Sequence, residues 1–145
     1  MIVEKVLPAP PSLGSRRRER VVLTSGDLAK ARQRVKTDAG REIGISLPHG
    51  VSLKDGDLLH LDAEVAVVVE QAEEDLLWLQ PKSPEEFGFV GYQVGNLHRA
   101  AMINHHGIAV LYDKAIEALA QRLHVDTLRA PGKFRPGQTE GHSHG

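Results

Sequence analysis

The residues of this chain best suited to chemistry are its histidines. There are eight in 145 residues, and there is no cysteine. Without cysteine the chain has no thiolate metal site, no disulfide, no cysteine nucleophile and no iron–sulfur cluster. A metal site must therefore be built from imidazole and oxygen. The sharpest local pattern is Gly141-His142-Ser143-His144-Gly145. Two imidazoles separated by a single residue can chelate one ion. Neutral imidazole suits Ni²⁺, Cu²⁺ and Zn²⁺, whereas hard cations prefer oxygen. Alone, this pair would bind weakly and unselectively. An incidental polar tail is the competing reading. His98 stands beside a predicted helix end. A lone histidine there more often bonds a terminal carbonyl than a metal. His105-His106 fall in a predicted tight turn. Adjacent side chains there can point to opposite faces, so the pair reads as exposed polar residues. His49, His60 and His124 are isolated and read as structural. Asp55-Gly56-Asp57 lacks the longer series of oxygen ligands that a calcium loop needs.

Catalytic patterns are missing. The sequence holds no G-x-S-x-G, no Walker A loop, no G-x-G-x-x-G and no H-E-x-x-H. Glu73-Glu74-Asp75 reads as a solvated face, and Glu85-Glu86 as the start of a helix. Nothing supplies a nucleophile, a base and an orienting group together, so the expectation is a protein that is not an enzyme. Eighteen Lys+Arg balance nineteen Asp+Glu. No global basic field exists to hold nucleic acid. Arg16, Arg17, Arg18 and Arg20 form one basic cluster. It suits an acidic partner or RNA, but charges commonly protect strand edges. No apolar run approaches the roughly 20 residues of a membrane span. The start, MIVEKVL, is too short for a signal segment. A soluble cytoplasmic protein, with no nucleic acid and no membrane as partner, is expected.

The elements that must position the histidines fall into two groups. Up to about residue 72 the signals are short strands and frequent turns: Met1–Leu7, Glu19–Leu23, a hairpin of Gln33–Lys36 with Arg41–Leu47, Leu58–Leu61 and Val65–Val69. From residue 73 the pattern changes. Glu74–Leu79 reads as a strand. Ser83-Pro84-Glu85-Glu86 is a complete helix start, with a cap, a proline at the first position and a glutamate three residues after the cap. Gly88, Gly91 and Gly95 within that helix predict close packing against another backbone. Gly95-Asn96 predicts a left-handed helix end. Ala100–Asn104 and Ile108–Leu111 read as strands. Asp113 caps a second helix with Ile116, Leu119, Ala120 and Leu123 on one face. Val125–Leu128 reads as a last strand. The class is α+β. Residues 1–72 form an N-terminal all-β small barrel or sandwich-like domain. Residues 73–133 form a ferredoxin-like βαββαβ domain. Residues 134–145 form a flexible, His-containing tail with little to bury.

The stretch Gly91-Tyr92-Gln93-Val94-Gly95-Asn96-Leu97-His98 closely resembles the helix-end motif of the UreE family, the urease accessory nickel chaperones. That motif is Gly-Asn-x-His followed by an apolar strand, here Arg99–Ile103. Leu47-Pro48-x-Gly50 and Leu53-x-Asp55-Gly56-Asp57 resemble the family's N-terminal domain. The β-α-β-β-α-β order and the His-bearing tail resemble its C-terminal part. The resemblance implies a homodimer that binds Ni²⁺, with Zn²⁺ as a competing ion, and delivers it for assembly of the urease active site. It implies the accessory GTPase UreG and the urease-accessory complex as partners. It implies that His98 is the metal histidine, contributed by both protomers at the dimer interface, and that His142 and His144 assist from the tail. It also implies a peptide-binding-like N-terminal domain for residues 1–72. The sequence departs from some relatives at one point. Two further histidines at the start of the last helix are replaced by Tyr112 and Lys114, so a peripheral metal site there is not expected. An alternative is a scaffolding module in the urease maturation complex, with metal acting mainly in dimerisation.

Overall fold

Alternation of apolar and charged residues builds the first strands, and it does so around one buried carboxylate. The computed structural model describes residues 1–137. The chain divides into two units, Met1–Ala72 and the part that begins at Glu73.

The first unit contains β1 (Ile2–Val3), β2 (Arg17–Leu23), α1 (Ser25–Leu28), β3 (Arg32–Lys36), β4 (Glu42–Ser46), β5 (Leu58–Leu61) and β6 (Val65–Gln71). These strands make two three-stranded sheets, ordered β1-β4-β3 and β2-β6-β5. β3 and β4 are the antiparallel hairpin, turned at Gly40 with φ +87°. Val21, Leu23, Ile43, Ile45, Val67 and Val69 meet in one core. Glu19 lies on the inward side of β2 with Val21 and Leu23, and it is only 1% exposed. Such a carboxylate persists only with partners. Arg41 donates from Nε and Nη2 to its two oxygens, both at 3.0 Å. The Thr37 hydroxyl adds a third bond at 2.8 Å. Arg41 and Thr37 together hold the Glu19 pKa down at about 2.

The strand predicted over Met1–Leu7 is shorter than expected. Only Ile2–Val3 pairs with β4, and Leu7 makes one isolated bridge to Leu58. Val3 is buried while Glu4 and Lys5 are exposed, so the charged pair leaves the sheet.

The second unit contains β7 (Glu74–Gln80), α2 (Pro84–Asn96), β8 (Met102–Asn104), β9 (Gly107–Leu111), α3 (Lys114–Arg122) and β10 (Asp126–Gly132). Its four strands lie in the order β10-β7-β9-β8, each neighbour antiparallel. Both helices start as their sequences dictate. Ser83 Oγ accepts from the Glu86 N–H at 3.1 Å, and an Asp113 oxygen accepts from the Ala115 N–H at 2.8 Å. Val90 and Val94 of α2 and Ile116 and Ala120 of α3 pack on Leu77, Leu79, Ile108 and Val110 of the sheet. Gly107, φ +138°, leaves no room for a side chain, because a Cβ there would collide with the Leu79 carbonyl oxygen. The β8–β9 turn is therefore pressed onto β7.

The α2 glycines meet no other backbone among the described residues of this chain, which leaves their packing against a second copy untested. A Cβ at Gly88 or Gly95 would meet nothing within 4 Å, and at Gly91 it would make ordinary contact with Ile108 Cδ1 at 3.8 Å. Two expectations are corrected here. The left-handed residue after α2 is not Gly95 or Asn96, because the helix runs through Asn96 and the reversal falls on His98. Phe134, placed by its sequence in a tail with little to bury, is buried at 3% exposure. Among the described residues no helix is long and apolar enough to cross a membrane.

Candidate metal centre

His98 owes its position to the way α2 ends. Leu97 caps the helix, and its N–H bonds the Val94 carbonyl at 3.1 Å. The His98 N–H then bonds the Gly95 carbonyl at 3.0 Å. Its φ of +55° is left-handed, a conformation in which histidine is enriched over most residues that carry a side chain. This reversal turns the chain off the helix axis, and the His98 side chain is exposed.

The electrostatic setting favours a cation. The last carbonyls of a helix carry partial negative charge, and the last turn of α2 contains no basic residue. Arg99 comes directly after His98, but its charge is engaged. Its Nε donates to Asp113 Oδ2 at 2.6 Å and its Nη1 to the Leu97 carbonyl at 3.0 Å. Arg99 in turn holds the Asp113 carboxyl below its ordinary pKa. Large apolar side chains of α2 and its cap are exposed among polar ones. Phe89 is 51% exposed, Tyr92 66% and Leu97 39%.

His142 and His144 lie outside the described residues, so their placement is not part of this geometry. The last described segment does return towards His98. The Gly137 N–H bonds the Ala101 carbonyl at 2.9 Å, three residues along the chain from His98. Among the described residues no group of three or more histidine, aspartate or glutamate side chains converges as a metal site.

Tyr112 stands in a cluster of its own. Its hydroxyl donates to Glu117 Oε1 at 2.9 Å, and the Arg129 guanidinium lies 3.6 Å over its ring. The Glu117 carboxylate pushes the phenol pKa up. Arg129 is also paired with Asp75 at 2.7 Å. His60 faces Asp62 at 3.0 Å, and this contact is the main reason the Asp62 carboxyl is held at about 2. His49 and His124 are exposed. His105 and His106 are exposed, as their turn suggests, but their side chains do not point to opposite faces. Their rings sit 3.8 Å apart, centroid to centroid, and His106 meets Trp78 edge-on at 6.4 Å. The signal that gives this arrangement is the short turn Asn104-His105-His106-Gly107. There the Asn104 side-chain oxygen accepts from the His106 N–H at 2.8 Å.

Comparison with known proteins covers both units. The family model for the "UreE urease accessory protein, N-terminal domain" matches residues 3–72, and that for the "C-terminal domain" matches residues 74–145. The chain is similar to the urease accessory protein UreE of Bacillus sp. (strain TB-90), at 38% identity over 150 residues and 99% of each chain. It is equally similar to that of Geobacillus kaustophilus (strain HTA426), 38% over 152 residues and again 99% of each chain. The corresponding protein of Staphylococcus carnosus (strain TM300) is 35% identical over 149 residues, with the same coverage.

Proposed function

The chain belongs to the UreE family of urease accessory proteins, and from that premise we propose that it serves urease maturation as a cytoplasmic nickel metallochaperone, not as an enzyme. Its cargo is Ni²⁺, with Zn²⁺ as the competing ion. Two His98 side chains, one from each protomer of a homodimer, hold the ion, and His142 and His144 complete its shell. UreG and the other urease accessory proteins are the partners that receive it. In this reading the four antiparallel strands and two helices of the second unit are the ferredoxin-like arrangement.

The observation that carries the reading is the end of α2. It places one exposed imidazole at the negative pole of a helix, on a left-handed residue. The same helix and its cap expose the large apolar side chains of Phe89, Tyr92 and Leu97. The open space over Gly88 and Gly95 lets a second copy approach α2 closely. In a two-fold arrangement the same residue meets itself, so one histidine per chain becomes two at the axis. The tail can supply the rest. From Gly137 to His142 is five residues, a reach of roughly 18 Å at most. Gly137 itself is tied close to the loop after His98.

The chemistry is set by the donor atoms. Two to four imidazoles with water give a nitrogen and oxygen shell that suits Ni²⁺ or Zn²⁺. The absence of thiolate keeps exchange feasible. Protons compete for every ligand, so affinity falls as pH drops through the imidazole range.

Calorimetry with Ni²⁺ on the wild type, His98→Ala and His142→Ala/His144→Ala tests the assignment. The first variant should lose the principal site, and the second should weaken it and leave the pair at the axis. Unchanged binding in His98→Ala would overturn the reading. If urease activation in cells survives His98→Ala, the protein acts as a scaffold in the maturation complex.

A further inference from the structure

We propose that the β8–β9 turn is a second, low-affinity site for a borderline divalent ion such as Ni²⁺, with His105 and His106 as its two protein ligands and water as the remainder. The turn holds both imidazoles on one side. Their centroids are 3.8 Å apart and their planes are tilted by 43°. Two imidazoles bound at right angles to one ion, with metal–nitrogen distances of ~2.1 Å, place their centroids about 4.5 Å apart. The observed separation is within about 1 Å of that value, so the two rings are near enough to share one ion.

The backbone beneath the pair is fixed. Asn104 Oδ1 holds the His106 N–H at 2.8 Å. The backbone at Gly107, φ +138°, is pressed against the Leu79 carbonyl. Gly107 and Asn104 are paired with each other in the β8–β9 ladder. On the other side, Trp78 presents its ring to His106 edge-on. The imidazoles are exposed, so water can complete the shell and a partner can take the ion away.

This site is separate from His98. The two lie at opposite ends of β8, whose three residues alone span roughly 10 Å. It is therefore a local feature of one chain and needs no second copy. With only two protein ligands it should load after the site at His98 and release first. It would give the second unit a surface position for an ion in transit. The proposal stands on the turn itself and does not depend on the role given to His98.

The test uses the full chain carrying His98→Ala, His142→Ala and His144→Ala, titrated with NiCl₂ and followed by NMR. Paramagnetic broadening should appear first at the amides of Asn104 to Gly107. Adding His105→Gln and His106→Gln should lower the residual affinity at least about tenfold and abolish that broadening. Adding His60→Ala instead should change neither. Absence of residual binding in the triple variant would overturn the proposal, as would residual binding that survives His105→Gln/His106→Gln. Neither outcome bears on His98, whose own loss is read separately in the single variant.

Discussion

The two long helices of the second unit end on the same dipeptide. α2 is succeeded by Leu97-His98 and α3 by Leu123-His124, and both histidines are left-handed, with φ of +55° and +56°. The difference lies in the residue after each histidine. After α3, the Val125 N–H bonds the Ala120 carbonyl at 2.9 Å and the His124 N–H bonds Gln121 at 3.2 Å. That is the complete Schellman pattern, sealed because Val125 is buried. The last turn of α3 also carries its own cation, Arg122. After α2, the His98 N–H makes its bond, but among the described residues no backbone bond runs from Arg99 back to the helix. Arg99 is exposed, and the last turn has no basic residue. One end is closed upon itself. The other lacks the second backbone bond, is met by the Arg99 side chain at the Leu97 carbonyl, and leaves its imidazole exposed. The residue after the histidine thus decides whether the backbone completes the helix end, as buried Val125 does and exposed Arg99 does not.

The strongest way to break this comparison is metal binding. His98→Ala should weaken Ni²⁺ affinity by about a hundredfold, while His124→Ala leaves it unchanged in the same calorimetric titration. Equal losses would show that the ends are not different in kind. Next in size is the buried anchor. Val125→Ala should cost about 2 kcal/mol in urea unfolding, whereas Arg99→Ala, which removes a partly exposed ion pair, should cost no more than about 1 kcal/mol.

Asp113 gives a third and smaller effect. It caps α3 and pairs with Arg99, which depresses its pKa. A depressed carboxylate contributes stability that is present above its unfolded pKa, about 3.9, and is lost as pH falls through the lower folded value. Asp113→Ala should therefore cost about 1 kcal/mol at pH 7, and the difference from wild type should shrink below about pH 4. The smallest effect sharpens the comparison most. His98→Gly and His124→Gly both relieve a left-handed side chain and should each stabilise the fold by up to about 1 kcal/mol. Only the first should lose metal.

Much of this was legible in the residues. Ser83-Pro84-Glu85-Glu86 and Asp113 name both helix starts, because a cap is a local event completed within one turn. Helix ends are less local. Glycine and asparagine at 95 and 96 signal a reversal that the chain delays to His98, because the helix bonds continue through Asn96. The glycines of α2 illustrate a second limit. Their spacing says that side chains are absent, not what comes to occupy the space. Phe134 shows a third, since a single aromatic in a polar stretch finds its burial through a long-range contact that has no period. His105 and His106 read as ordinary turn residues. Their shared side depends on how Gly107 presses the hairpin onto β7, which is a tertiary fact. Spacing does not single out His98 among the eight histidines, whereas the family motif does.

The bond between Gly137 and Ala101 can be expressed as a concentration. In the proposed role of His142 as a ligand, five residues separate it from that point, and their contour length sets the largest volume open to its imidazole. That volume would correspond to an effective concentration near the loop after His98 on the order of tens of millimolar. Imidazole ligands free in the surroundings would have to reach that level to displace it. A receiving protein need not, because docking raises its own ligands to a comparable local level. For the chaperone proposed above, this arithmetic would shield the ion from casual competitors and yield it to a bound one, and Gly137→Pro, which deletes the N–H of the tie, should narrow the distinction.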